Sequence, residues 1–269
     1  KRHEQIADLP WSTEEINERL EQFKKLSDRV EKLYATVPSN RKDAYFEMIQ
    51  YPVQASNEMN KKMLYAQFAR HTPSDSASLW KKSDAAYDSI VSLTRRFNSL
   101  LDGKWNHIIS TAPRGLIVFD KVKRTASSTA LVSSPAPLQL WNGTEHDAVT
   151  GQHTVIDGLG HSGKAIYLGK GGTVEYEYRN FRKDSLTVEV CLVPTHAVEG
   201  GKLRFAVSTD DREPQVFDCE TAEYSEEWKV NILRAQAVKT ARFPSGSRKG
   251  RIKITALDEG VVIDQIRLR

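Results

Sequence analysis

Thr125-Ala126-Ser127-Ser128-Thr129-Ala130-Leu131-Val132-Ser133-Ser134-Pro135-Ala136-Pro137 is a run of small, hydroxylated and proline residues that divides the chain. Before it, apolar residues recur every three or four positions. After it, they alternate with polar ones in short runs split by Gly, Asp-Asp and Pro. The change of period from about 3.6 to about 2 predicts two differently built domains. Residues 1–124 are expected as a helical bundle, 125–137 as a linker, and 138–269 as a β-sandwich. The fold class is α+β multidomain.

In the first half, Ser12-Thr13-Glu14-Glu15 reads as a capping box. The Ser12 hydroxyl accepts from the first turn and Glu15 reaches back. Ile16, Leu20, Phe23, Leu26, Val30 and Leu33 then make one stripe, predicting a helix to about Ala35, which Pro38-Ser39-Asn40 ends. A second helix is expected from Arg41 to Arg70 with Tyr45, Ile49, Ala55, Met59, Met63 and Ala66 inward. Pro52 lies inside it and predicts a kink at Tyr51–Pro52, because proline lacks the helical N–H and clashes with the preceding turn. A third helix, Ser76 to Leu101, carries Leu79, Trp80, Tyr87, Ile90, Leu93, Phe97 and Leu101 inward, and Gly103 suits a left-handed C-cap. Long helices with short connections predict an antiparallel three-helix bundle. Trp105 in Lys104-Trp105-Asn106-His107 is expected to close the bundle's end, with Asn106 and His107 holding loop backbone. A ligand-binding role is the alternative.

The second half offers strands at Ala165–Leu168, Thr173–Tyr178, Leu186–Val193, Leu203–Ser208, Gln215–Cys219, Trp228–Leu233, Val238–Phe243, Arg251–Leu257 and Val261–Leu268. Leu186, Val188, Val190 and Leu192 share one face. Leu203, Phe205 and Val207 share another, as do Ile252, Ile254 and Ala256. Many short strands separated by turns, with no helical pattern between them, predict an antiparallel jelly-roll sandwich.

Composition narrows the function classes. The chain has 269 residues, a net charge of +4 and 28% charged residues, which excludes a disordered polymer. Residues 1–124 hold 21 Lys/Arg against 16 Asp/Glu, interleaved as on solvated helix faces. No segregated basic stripe exists, so nucleic acid is not an expected partner. Nor does any apolar run reach the roughly 20 residues that span a bilayer. Cys191 and Cys219 are expected as free, partly buried thiols, with one disulfide between them as the alternative. The chain opens at Lys1 with neither an initiator Met nor a signal-peptide pattern, so processing or cutting from something longer is expected. Asn142-Gly143-Thr144 is a chance sequon outside a eukaryotic secretory context.

Several motifs invite chemistry and fail on context. Gly158-Leu159-Gly160-His161-Ser162-Gly163-Lys164-Ala165 imitates two phosphate loops. A strand follows rather than a helix, and Ala165 lacks the magnesium-binding hydroxyl, so a glycine turn is expected. His146, His153 and His161 with Asp147 and Asp157 match no zinc spacing. Cys191 has no base beside it in sequence, and His196 would need an unforeseen loop to reach it. Asp210-Asp211 and Glu226-Glu227 are adjacent turn carboxylates, whereas glycoside chemistry needs two carboxyls facing each other across a cleft. Trp141 and Trp228, with Tyr176, Tyr178 and Tyr224, are the candidates for stacking on sugar faces. Most of them are expected in the core.

Taken together, several stretches resemble one family. Tyr45–Val53, Met59–Gln67 and Gly103–His107 resemble the helical domain of glycoside hydrolase family 115. Thr144-Glu145-His146, Ile156–Ala165 and Asp258–Asp264 resemble its C-terminal domain, and Lys1–Ile6 resembles the segment leaving its barrel. The order and spacing agree across nearly the whole chain. Members of the family are xylan α-1,2-glucuronidases whose catalytic residues lie in an α/β domain and a barrel, neither of which this chain resembles. The resemblance therefore implies a non-catalytic accessory region with no catalytic residues of its own. Its implied partners are the catalytic domains, xylan or another plant polysaccharide, and a second copy in a homodimer. The alternative is a free-standing carbohydrate-binding or interaction module. By the same resemblance the protein is expected to be secreted or periplasmic, without a cofactor. Trp105, Asn106 and His107 become domain-interface candidates. A galactose-binding-like sandwich implies a structural calcium on Glu145. Two departures stand out: Ser110-Thr111-Ala112-Pro113-Arg114-Gly115 replaces a Gln-Thr-His-like run, and Glu259 stands where the family's turn has proline.

Overall fold

The computed structural model describes residues 7–127, 129–179, 184–210, 212–219, 222–244 and 248–269. Lys1–Ile6 and Asp211 lie outside them. Two compact units emerge, Lys1–Pro135 and Ala136–Arg269.

In the first unit, α1 (Thr13–Thr36) starts on the expected capping box. The Ser12 hydroxyl accepts from the Glu15 N–H at 3.2 Å and Glu15 Oε2 accepts from the Ser12 N–H at 2.6 Å. A short turn, α2 (Lys42–Tyr45), leads through a π-turn at Phe46–Gln50 into α3 (Tyr51–His71). The break expected at Pro52 takes that form. The π-turn precedes the proline, which then sits in the first turn of α3, where a missing N–H costs little. The long helix α4 (Ser76–Gly103) follows.

Of the three long helices, α3 is the middle one and packs on both α1 and α4. Its buried positions are Asn57, Lys62, Leu64, Ala66, Gln67 and Ala69, spread around the helix because it has neighbours on two sides. The single inward stripe expected for it is not found: Met59 and Met63 are half-buried and Ile49 is exposed. An open groove of about 510 Å³ runs between α1 and α4, lined by Ser27, Gln54, Glu58, Ser92 and Arg96. Leu26 and Leu33 of the expected α1 stripe are exposed, while Ile16 and Val30 are buried. At the end of α4 the left-handed cap extends over Leu101 (φ 50), Asp102 (φ 57) and Gly103 (φ 82), which buries Leu100 and turns Leu101 outward.

Lys62 is fully buried. Its ammonium donates to the Val118 carbonyl at 2.7 Å and the Asp120 carbonyl at 3.0 Å, fastening the segment that follows the helices. Further on, the Ser127 N–H donates to the Arg70 carbonyl, the Thr13 N–H to the Val132 carbonyl, and Ser133 and Ser134 to the Glu14 carboxylate. The hydroxylated stretch is thus pinned to the helices as far as Ser134.

The second unit is a sandwich of two antiparallel sheets. Its strands are β1 (Gln139–Asn142), β2 (Ala148–Thr150), β3 (His153–Asp157), β4 (Lys164–Leu168), β5 (Thr173–Tyr178), β6 (Ser185–Leu192), β7 (Arg204–Thr209), β8 (Gln215–Asp218), β9 (Ala237–Pro244), β10 (Gly250–Ala256) and β11 (Val261–Leu268). One sheet runs β3-β4-β11-β6-β9 with β1 also on β11; the other runs β2-β5-β10-β7-β8. Leu186, Val188, Val190 and Leu192 meet Phe205, Val207, Ile252 and Ile254 in one core, as their alternation predicts.

Two expectations are corrected. Trp228–Leu233 is not a strand but part of a helix, α5 (Glu226–Arg234). Ser225 caps it by accepting from the Trp228 N–H at 3.1 Å, Glu226 and Glu227 fill the first turn, and Ala235 (φ 54) ends it. Strands β1, β2 and β3 were not predicted. They are short, β2 and β3 largely exposed and β1 only half-buried, so no apolar alternation marks them.

Candidate functional site

The densest polar arrangement in the sandwich centres on Asp264, which is 0% exposed. It occupies an irregular position in β11, at the register shift between Ile263 and Gln265 in the pairing with β6. On the opposite edge, β4 covers Val261–Ile263 and β1 covers Gln265–Leu268, so Asp264 lies where two strands part. The turn after β3 fills that gap. Its Gly158, Gly160 and Gly163 have φ of 84, 77 and 78, and it delivers His161 to the carboxylate. Asp264 Oδ1 accepts from the His161 N–H at 2.8 Å, and Oδ2 accepts from Gln236 Nε2 at 2.7 Å and meets His161 Nδ1 at 2.6 Å.

Close backbone approach explains two glycines here. A Cβ on Gly160 would stand 2.5 Å from Asp264 Oδ1, and one on Gly143 only 2.3 Å from the Ile263 carbonyl oxygen. The network continues from Gln236 Oε1 and Gln265 Oε1 to Arg267, then by charge through Glu189 to Arg269. Burial pushes the Asp264 carboxyl up. Hydrogen bonds from His161, its charge and Gln236 outweigh that and hold the carboxyl below the usual range. An ionised, buried carboxylate surrounded by donors fixes loops. It has neither the proton nor the access to act as a general acid toward a sugar.

Three further carboxylates of the sandwich are ion-paired. Asp258 grips Arg204 through two oxygens at 2.8 and 2.9 Å, and this guanidinium holds the Asp258 pKa at about 2. Glu226 pairs with Lys229 and Glu227 with Lys239. A cavity within the sandwich measures about 20 Å³, room for one water rather than a sugar ring. Leu192, Leu203, Cys219 and Trp228 help to line it.

The sequence candidates fall as follows. Trp141 is half-buried against the core, its ring 6.2 Å from that of Tyr176, and Tyr176 and Tyr178 are themselves core residues. Trp228 is half-buried on α5 beside Tyr224, with ring centroids 5.8 Å apart. Glu145 closes a turn: Oε2 accepts from the Asn142 N–H and the Glu145 N–H donates to the Asn142 carbonyl, both at 2.8 Å. Among the described residues no group of three His, Cys, Asp or Glu side chains could hold a metal ion. Trp105 packs on Phe46, Phe97 and Leu100, closing the end of the helical unit, while Asn106 and His107 are exposed. Cys191 and Cys219 are free and buried, and burial pushes both thiols up to about 12. Sequence reading missed Lys62, Gln236 and Asp264 because each is a single polar residue, and its significance comes from a partner far away in the chain.

Two of the β-half stretches that carry the family resemblance meet at Asp264, the His161 loop and β11 itself, and Gly143, just before the third, donates its N–H to the Asp264 carbonyl. Residues 143–269 match the glycosyl hydrolase family 115 C-terminal domain. The sandwich belongs to that family. The agreement extends past it into the helical unit. A solved family GH115 4-O-methyl-alpha-glucuronidase with specificity for decorated arabinogalactans is 45% identical over 98% of this chain, with a TM-score of 0.84. This chain covers 34% of that one, so it spans about a third of its relative's length. More distant is the exo-beta-1,3-galactanase of Phanerochaete chrysosporium, at 16% identity and TM-score 0.38 over 49% of this chain and 29% of that one. A family 35 carbohydrate binding module from an environmental isolate aligns at 14% identity and TM-score 0.38, over 49% of this chain and 93% of its own. No curated protein matches the sequence. Among the described residues no helix is long and apolar enough to cross a membrane.

Proposed function

We propose that this family 115 chain is an accessory, non-catalytic region of a secreted glucuronidase-like glycoside hydrolase. In this reading the helical unit seats against the catalytic part, and the sandwich contacts a glucuronate-decorated plant polysaccharide, xylan or arabinogalactan. The observation that carries it is chemical. Among the described residues of the sandwich, bound donors hold the Asp264 and Asp258 carboxyls below the usual carboxylate range, and no carboxylate lines the small cavity beside Trp228.

One end of the helical unit supports a seat for another domain. Around the Phe46–Phe97–Leu100 cluster, Met48, Ile49, Leu101 and Ile108 expose apolar side chains, Met48 by 72%. The same end holds buried polar atoms without partners in the structure, Gln50 Oε1, Asn98 Oδ1 and Trp105 Nε1. Trp105, Asn106 and His107 lie within it and are the proposed contact residues. The test is titration of this chain into the family 115 relative deprived of its own C-terminal third. Binding that falls at least tenfold in Met48→Asp and Ile108→Asp supports the seat; no binding contradicts it.

The second reading is a free-standing carbohydrate-binding module, and the exposed Tyr224 beside Trp228 favours it. It predicts glycan affinity for the chain alone with no affinity for the truncated relative. A homodimer through the apolar end would instead appear as a concentration-dependent mass in sedimentation.

A further inference from the structure

We propose that Tyr224 and Trp228 form a stacking platform for a neutral pyranose residue of a glycan. The proposal rests on the reading of the sandwich as a polysaccharide-contacting unit and narrows it to one site and one sugar class. Tyr224 is 74% exposed, the most exposed aromatic among the described residues. Its backbone is left-handed at φ 68, a conformation that disfavours a bulky residue. A large apolar ring held in solvent on strained backbone contributes little to folding on either count. Such a combination is characteristic of a site rather than of a core.

The geometry is fixed on both sides. Ser225 caps α5 by accepting from the Trp228 N–H at 3.1 Å, which sets the Tyr224 backbone relative to the tryptophan. Trp228 borders the small cavity with Pro194, Thr195, His196 and Cys219, so its inner edge is anchored. The rings stand 5.8 Å apart at 51°, too tilted to cover each other, which leaves a shallow aromatic face. Ionic residues border it: Glu226 paired with Lys229 at 2.6 Å and Glu227 paired with Lys239 at 2.7 Å, with Glu223 next to Tyr224 in sequence. Carboxylates accept from sugar hydroxyls. Lys229 and Lys239 compensate two of them, so the excess charge beside the rings is the single negative charge of Glu223, which favours an uncharged pyranose over a uronate. The platform therefore takes the neutral backbone of the glycan.

The experiment is titration calorimetry of the whole chain with xylohexaose, β-1,3-galactohexaose and the glucuronate-bearing xylo-oligosaccharide. Wild type is expected to bind a neutral oligosaccharide at least as tightly as the acidic one. Tyr224→Ala should weaken that binding tenfold or more, and Tyr224→Phe should keep it. Tyr224→Gly relieves the left-handed strain, so it should raise the melting temperature while abolishing binding, a pairing that a structural tyrosine would not produce. Binding unchanged in Tyr224→Ala but lost in Trp141→Ala overturns the platform and leaves the polysaccharide reading standing. No binding of any oligosaccharide by wild type overturns both. A dimer that dissociates in Tyr224→Ala without glycan binding assigns the rings to a protein interface and also overturns the proposal.

Discussion

His161 and Asp264, 103 positions apart, make two hydrogen bonds at the point where β1 and β4 part along β11. The carboxylate is fully buried and Gln236 binds it as well. Removing one member of such a buried pair leaves the others' donors unmet. Asp264→Asn is therefore expected to destabilise the sandwich by about 3 kcal/mol. Denaturant unfolding followed through the tryptophans measures it. A loss under about 1 kcal/mol would mean that the network is incidental.

The same carboxylate gives a pH dependence with a definite sign. Its folded pKa lies below the unfolded value of about 3.9. The stability it contributes is present above that value and is lost as pH falls through the folded pKa. Asp258, at about 2, adds a second loss between roughly pH 4 and 2. Melting temperatures from pH 6 to 2 should fall steeply below pH 4 in wild type and less steeply in Asp264→Asn. Equal slopes would refute this.

Lys62 works in the opposite direction. Burial lowers its pKa to about 8, while in the unfolded chain it titrates near 10.4. Between those values the unfolded state holds a proton that the folded state has released, so stability contributed at this site rises with pH from about 8 to about 10. Lys62→Met should abolish the rise and free the segment at Val118 and Asp120 from its two hydrogen bonds. Hydrogen exchange of residues 117–124 reports the second effect.

Gly143 and Gly160 tolerate no side chain. Alanine at Gly143 would meet the Ile263 carbonyl at 2.3 Å, and at Gly160 it would meet Asp264 from a backbone already at φ 77. Each should cost about 2 kcal/mol or more. Gly158→Ala, which meets nothing within 4 Å, should cost less because only its backbone conformation is unfavourable.

Glu145 spends its carboxylate on the Asn142 N–H. Chelation by EDTA is expected to leave the melting temperature unchanged. A fall reversed by calcium would place a structural calcium in the sandwich, with Glu145 as the first residue to substitute.

Legibility in the sequence followed how locally each feature is encoded. The Ser12 capping box and the Leu186–Leu192 alternation need only a few neighbouring residues, and both stood out. α5 failed because Trp228, Val230 and Ile232 alternate like a strand, and the helix buries no residue that would impose a 3.6 period. Its signals were Ser225 before two glutamates and Arg234 at the far end. The α3 stripe failed because a middle helix buries Asn57, Lys62 and Gln67 through polar contacts that no hydrophobic period registers. The glycine turn at 158–163 was legible as a turn. Its purpose, placing His161 on Asp264, depended on a partner at the other end of the domain.

The central claim is that glycosidic bond cleavage is carried by other polypeptide. Its most direct test is the release of 4-O-methylglucuronic acid from decorated arabinogalactan and glucuronoxylan by this chain alone, assayed at high protein concentration. The account predicts release no faster than in buffer. Sustained turnover that copurifies with the chain, and is lost when one of its carboxylates is changed to the amide without unfolding the protein, would contradict it.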